Sequence, residues 1–124
     1  MAVESFPKVT VGVEGRTEHV IDERLLTRHV GGRGVFATPA MIGLMEMTAH
    51  RSLEGLIPEG YTTVGYEVHV RHLAPSQPGA IVVVKAKVTS VDGRKVAFEV
   101  TCHEGEKLVG SGIHKRAIVP APVD

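Results

Sequence analysis

Thr38-Pro39-Ala40-Met41-Ile42-Gly43-Leu44-Met45-Glu46-Met47-Thr48-Ala49-His50-Arg51-Ser52-Leu53-Glu54-Gly55-Leu56 is the stretch that decides the fold. Thr38 is a good N-cap, because its hydroxyl can accept one of the free N–H groups of a first turn. Pro39 suits the first helical position, where its missing N–H costs nothing. Ala40 to Leu56 then consists mostly of strong helix formers, with no β-branched run. Ile42, Met45, Ala49, Leu53 and Leu56 recur at helical spacing as an apolar stripe, while Met41, Leu44 and Met47 lie off it. A helix apolar around so much of its girth is expected to be buried on more than one side. Pro58 and Gly60 end it.

Downstream the period changes from helical to alternating. Tyr61 to Leu73 sets Val64, Tyr66, Val68 and Val70 against Glu67, His69 and Arg71. Ala80 to Val91 carries Val82, Val84, Ala86 and Val88 on one face and Lys85 and Lys87 on the other. Asp92-Gly93 is a hairpin turn into Lys95–His103, and Gly105 turns the chain again into Lys107–Val119. Strands joined by short turns are antiparallel. Upstream, Val9, Val11 and Val13 alternate before Glu14-Gly15-Arg16, so Pro7–Ile21 reads as one broken strand or a short hairpin. Asp22–Arg28 reads as a helical turn and Gly31-Gly32-Arg33-Gly34 as a flexible loop. The ends, Met1–Pro7 and Pro120–Asp124, read as loose. A long helix lying on the concave face of an antiparallel sheet is an α+β architecture. Gly110 and Gly112 would let helix and sheet approach closely.

Residues 1–124 are expected to form one domain, long enough to bury roughly two-thirds of its unfolded surface without a disulfide or metal. Lys+Arg and Asp+Glu both number 14, and this zero net charge, without a basic run, argues against nucleic-acid binding. Cys102, the only cysteine, continues the alternation of Val96, Phe98 and Val100, which makes it a small buried hydrophobe rather than a nucleophile. It can form no internal disulfide, which fits a reducing compartment. No apolar run is long enough for a membrane helix, and Met1–Lys8 lacks the order of a signal peptide. A soluble, cytoplasmic protein is expected.

Glu46 is the most informative polar residue. Four residues after Ile42 and three before Ala49, it sits on the stripe of a helix expected to be buried. A carboxylate there costs several kcal/mol unless it is paired, hydrogen-bonded or part of a site; the bland alternative is an edge glutamate reaching water. His72 shares parity with Val64, Tyr66, Val68 and Val70 and ends their strand where a loop, Ala74–Gly79, begins. His69 and His72 have metal-like spacing, but on a strand they point to opposite faces, so no shared metal is expected. Thr38 is fully explained as a cap, although a helix N-terminus is also a favourable place beside a developing oxyanion. Arg116 reads by itself as a solvated strand-end charge. Gly31-Gly32-Arg33-Gly34 lacks phosphate-loop form.

Taken together, Val35-Phe36-Ala37-Thr38, Met41, Gly43-Leu44-Met45-Glu46, Val64-Gly65, His72, Pro78-Gly79, Gly110-Ser111-Gly112, His114 and Arg116 resemble the fluoroacetyl-CoA thioesterase family over about Thr27–Val119. The resemblance implies a hotdog fold, a dimer with acyl-CoA bound between subunits, and hydrolysis of an acyl-CoA thioester. It implies Thr38, Glu46 and His72 as catalytic residues, Gly65 as the backbone N–H facing the thioester carbonyl, and Arg116 near the substrate. No cofactor is implied, since coenzyme A is part of the substrate. Only Gly31-Gly32-Arg33-Gly34 separates Val30 from Val35, so the longer phenylalanine-bearing lid of fluoroacetate-specific members is missing and that specificity is not carried over. Two other functions are compatible with such a domain: hydration or dehydration of an enoyl thioester, and non-catalytic acyl-CoA binding. The spacing adds a constraint. Thr38 and Glu46 are eight residues apart, about 12 Å along a straight helix. Either Thr38 lies on a turned-in loop, or the site mixes residues of two subunits.

Overall fold

The computed structural model describes residues 5–122. One α-helix, α1 (Thr38–Ser52), lies across an antiparallel sheet of β1 (Glu14–Val20), β4 (Tyr61–His72), β5 (Ile81–Asp92), β6 (Lys95–Glu104) and β7 (Lys107–Pro120). The sheet order is β1-β5-β6-β7-β4, and a separate short ladder joins β2 (Leu26–Thr27) to β3 (Val35–Phe36). The Pro7–Ile21 region is thus a single strand preceded by turns. Val9 is buried in the core, whereas Val11 points outward. The helical turn expected within Asp22–Arg28 is a short 3-10 turn, Glu23–Leu25, capped by the Asp22 carboxylate.

Alternation fixed the two central strands as read. Val82, Val84, Ala86 and Val88 of β5 and Val96, Phe98, Val100 and Cys102 of β6 are buried under the helix. Burial pushes the Cys102 thiol up to about 11, so it stays protonated and inert. The Asp92-Gly93 hairpin turns with Gly93 at φ +60°, in the left-handed region that a side chain disfavours.

Four expectations are corrected. The helix ends at Ser52 rather than Leu56, and while Met45, Ala49 and Leu53 of the predicted stripe are buried as expected, Met41 and Thr48 complete the buried face in place of Ile42 and Leu56. Thr48 is tolerated there because its hydroxyl donates to the Leu44 carbonyl at 2.7 Å and meets the Thr17 hydroxyl. The chain ends are not uniformly loose: Phe6 is buried edge-on against Tyr61, and β7 runs through Pro120. Residues Met1–Glu4 and Val123–Asp124 lie outside the described residues. The glycines of β7 divide their work. A Cβ on Gly110 would strike Met41 of the helix, as expected, but one on Gly112 would strike the β4 backbone at Val70 instead. Finally, β4 does not alternate throughout. Its register against β7 shifts between Gly65 and Glu67, so Thr63 and Gly65 face the helix before this bulge, and Val68, Val70 and His72 face it after. Val64 and Tyr66, predicted to share a face with His72, are exposed, at 46% and 48%.

Candidate active site

Thr38 is the first helical residue, not the cap. That place belongs to Ala37, in extended backbone, and no side chain caps the helix. The entry is set by backbone bonds, from Ala37 N–H to the Leu25 carbonyl at 2.8 Å and from Phe36 N–H to the Ser76 carbonyl at 2.9 Å. The Thr38 hydroxyl, free of capping duty, lies 2.8 Å from Nδ1 of His72. Phe36 packs against that ring in a T-shaped arrangement, with centroids 5.8 Å apart. Burial lowers the His72 pKa, opposed in part by the nearby Ala74 backbone. A neutral imidazole beside a hydroxyl can take its proton, which is the elementary requirement of base-assisted chemistry.

A second cluster forms further along the helix. A Cβ built on Gly65 would come within 2.9 Å of His114 Cε1, 3.1 Å of Arg116 Nη1 and 3.2 Å of Glu46 Oε2. Three polar groups therefore converge on a position where only glycine leaves room. Glu46 Oε2 is 4.0 Å from Arg116 Nη1, an outer-range ion pair whose cation is 9% exposed and whose carboxylate is 41% exposed. Glu46 therefore flanks the buried face of the helix instead of lying on it, because Met41 and Thr48 rather than Ile42 complete that face. Arg116 is no solvated strand-end charge. Its Nε donates to the Thr63 hydroxyl at 2.9 Å and its Nη2 to the Thr63 carbonyl at 3.0 Å. Burial lowers its pKa and the Glu46 charge opposes this; a guanidinium remains charged under such conditions.

Within one chain the two clusters stay apart. The structure pairs Thr38 with His72 and gathers Glu46, Gly65 and Arg116, but the sets are separated by eight helical residues and by most of β4. A turned-in loop for Thr38 is ruled out, since Thr38 belongs to the same regular helix as Glu46. His69 points to the outer face, 3.1 Å from the Glu67 carboxylate, away from His72. Thr63 and His50, whose Nδ1 is 2.6 Å from the Thr63 hydroxyl, complete the second cluster. Neither was singled out by sequence pattern, because Thr63 faces inward only through the bulge and His50 touches it only in three dimensions. Beside Thr38 and His72 opens a cavity of about 700 Å³, walled largely by Val30, Val35, Phe36, Leu73, Ala74 and Pro75. That volume lies in the range of sites for drug-sized ligands.

Comparison with known proteins places this geometry. The family model described as fluoroacetyl-CoA-specific thioesterase matches residues 17–122. The fluoroacetyl-CoA thioesterase of Streptantibioticus cattleyicolor is 39% identical over 85 residues, which is 68% of this chain and 61% of that relative's length. A solved fluoroacetyl-CoA thioesterase superposes with a TM-score of 0.83 at 32% identity, over 90% of this chain and 89% of that one. A thioesterase-superfamily member from Thermus thermophilus gives 0.82 at 30% identity, over 90% and 84%. A hot-dog-like protein from Thermanaerovibrio acidaminovorans, at 23% identity, shares the fold with a TM-score of 0.84 over 93% and 87%. The helix cradled by a five-stranded antiparallel sheet is accordingly the hotdog fold, and the chain belongs to the fluoroacetyl-CoA-specific thioesterase family.

Proposed function

We propose that this chain hydrolyses acyl-CoA thioesters to the free acid and CoA, at a site assembled from two copies. One observation carries the reading: a threonine hydroxyl on a neutral imidazole in one place, and a carboxylate, a guanidinium and a side-chain-free backbone position in another. One solved relative was captured with fluoroacetate and CoA. Gly65 and His72 lie seven residues apart on β4, about 20 Å along a strand, too far for one carbonyl. Strand β4 is the sheet edge, with no second neighbour among the described residues. Antiparallel pairing of two β4 edges centred near Val68 and His69 would set His72 of one copy beside Gly65 of the other. The same homodimer joins Thr38 to Glu46, which one straight helix keeps apart.

In this assembly the Gly65 N–H polarises the thioester carbonyl, with Arg116 close to the developing charge. Glu46 takes a proton from water as it attacks the carbonyl carbon, or attacks that carbon itself. His72 gives the departing CoA sulfur a proton, which the water consumed in the hydrolysis replaces through Glu46, and Thr38 holds the ring and the water. Hydration of an enoyl thioester has no use for the threonine. No cofactor is required, and coenzyme A enters only as substrate. The apolar cavity beside Thr38 takes the acyl group, and its size favours acyl groups well beyond two carbons. Among the described residues no helix is long and apolar enough to cross a membrane, and the buried unpaired Cys102 fits a cytoplasmic setting.

The test is thiol release across short, branched, aromatic and long acyl-CoAs, with wild type and Glu46→Ala. The variant should lose at least about a hundredfold in kcat with a smaller change in KM, as for loss of an acid–base group. Near-normal turnover by Glu46→Ala would sink the assignment. Hydroxylamine trapping of a mixed anhydride decides whether the carboxylate or water attacks.

A further inference from the structure

His114 lies in the middle of β7, 1% exposed, and the chemistry proposed above assigns it nothing to do. Its ring stacks on Phe98 of β6 at 25°, with centroids 6.3 Å apart. Both nitrogens are engaged. Nδ1 is 2.9 Å from the Glu67 carbonyl oxygen, and Nε2 is 3.2 Å from Arg116 Nη1. A carbonyl can only accept and a guanidinium can only donate, so these partners fix the protons: Nδ1 carries the hydrogen and Nε2 is bare. A protonated ring would turn an N–H toward the Arg116 N–H, placing two donors and two cations face to face.

The two bonds reach two parts of the second cluster. The Glu67 carbonyl belongs to the bulge that turns Gly65 toward the helix, and Arg116 Nη1 is the atom nearest Glu46. We infer that His114 is a positioning residue, a neutral Nδ1–H imidazole that ties the β4 bulge to the Arg116 guanidinium and so fixes Gly65 and Arg116 against the thioester. This role rests on the proposed hydrolysis; the proton arrangement itself does not. The arrangement is stable in its surroundings. Burial holds the ring below the ordinary histidine range, and Arg116 adds to this, while the Glu67 carbonyl and the Glu46 charge oppose it. The Glu67 carboxylate takes no part, being on the outer face 3.3 Å from Lys115 and 3.1 Å from His69.

Nitrogen-15 NMR of the histidine rings in the wild-type protein tests the proton arrangement, and kinetics of His114→Asn and His114→Phe test its purpose. Asparagine can still donate to the Glu67 carbonyl, but its amide oxygen lies short of the Nε2 position and does not replace the acceptor that Arg116 loses; phenylalanine keeps the stack and removes both bonds. Expected are an Nδ1–H ring that stays neutral to lower pH than an ordinary histidine, because burial disfavours its charged form, and slow exchange of the Arg116 side-chain N–H that becomes fast in His114→Asn. In that variant kcat should fall about tenfold to a hundredfold with KM changed less, the effect of misplacing a group by an ångström. Should His114→Phe not fold, the asparagine variant decides. A ring protonated at Nε2 overturns the inference, and so does a folded His114→Asn with wild-type kcat, the result expected of a merely structural histidine. If no acyl-CoA is hydrolysed by wild type, the functional reading fails by itself, and the ring tautomer and Arg116 exchange still decide the tether.

Discussion

Replacing Gly65 with alanine adds one methyl group at the point where the second cluster is tightest. That carbon would lie 2.9 Å from His114 Cε1, 3.1 Å from Arg116 Nη1 and 3.2 Å from Glu46 Oε2. Glu46 is half-exposed and can swing away at little cost. His114 cannot: its ring is stacked on Phe98 and bonded at both nitrogens, so relief there means breaking the Glu67 or Arg116 bond. Arg116 is similarly pinned by two bonds to Thr63. Overpacking of this kind costs about 1–3 kcal/mol. For a chain of this length the unfolding entropy makes each kcal/mol worth about 4 °C, so Tm should fall by about 4–12 °C. Denaturant melts give the free energy, and thiol release gives the rate. Because the clash pushes Arg116 and Glu46 away from the carbonyl position, kcat should drop by about tenfold or more even at temperatures where the variant is fully folded. An alanine variant with wild-type stability and turnover would refute both the tightness of the cluster and its place at the thioester.

Three further outcomes are expected. Burial lowers the pKa values of His19, His72 and His114 below the ordinary 6.5, so the unfolded chain binds more protons just below that pH and stability rises with pH there. Urea midpoints should therefore fall between pH 7 and pH 5, before the carboxylates of Asp22, Glu23, Glu67 and Glu104, all lowered by hydrogen bonds, begin to protonate; a flat profile over that window would contradict neutral buried rings. His69→Glu places like charges across the proposed β4–β4 axis and should weaken the dimer and the activity together, read by sedimentation and thiol release; full activity from a sedimenting monomer would rule out a two-copy site. In an acyl-CoA panel kcat/KM should peak beyond two carbons, and narrowing the cavity with Ala74→Leu should move the optimum toward shorter acyl groups; an optimum at acetyl-CoA, unmoved by that change, would show that the cavity is not the acyl pocket.

Most of the fold was legible because burial follows period. The alternation of β5 and β6, the Asp92-Gly93 turn and the existence of the helix all arise from one-dimensional patterns that the sheet preserves. What failed has a physical reason in each case. The helix stripe held at Met45, Ala49 and Leu53 but turned slightly toward Met41 and Thr48, because Met41, Ile42 and Leu44 are nearly interchangeable in hydrophobicity and only the sheet decides which of them it covers. That small rotation moved Glu46 from the buried face to its flank. Thr38 was read as a cap because threonine suits that role, whereas the backbone of Phe36 and Ala37 does the anchoring and leaves the hydroxyl for His72. Arg116 looked like a strand-end charge because Thr63, its main partner, is 53 residues away in sequence.

The bulge in β4 is where fold and site meet. Gly65 and His72 differ by an odd number of residues, so on a regular strand one of them must face away from the helix. Straight alternation put His72 on the helix side with Val64 and Tyr66, which assigned Gly65 to the wrong face. The register shift between Gly65 and Glu67 reverses that assignment for the first half of the strand and preserves it for the second. Both residues then face α1, each opposite an inward residue of β7, Arg116 for Gly65 and Gly110 for His72. The same shift expels Val64 and Tyr66 to the surface near the sheet edge, which raises the apolar area a second β4 could cover. One inserted residue thus faces both candidate positions toward α1 and exposes apolar side chains near the edge on which a second copy is proposed to pair. The His114 bond to the Glu67 carbonyl holds that irregularity in place. A deletion of Tyr66 would leave Gly65 and His72 six residues apart, an even number that faces both toward α1 on a regular strand. Turnover should therefore survive, reduced by about tenfold as the His114 bond to the Glu67 carbonyl is displaced. Abolished turnover in a folded deletion variant would show that facing the two positions inward is not all that the bulge supplies.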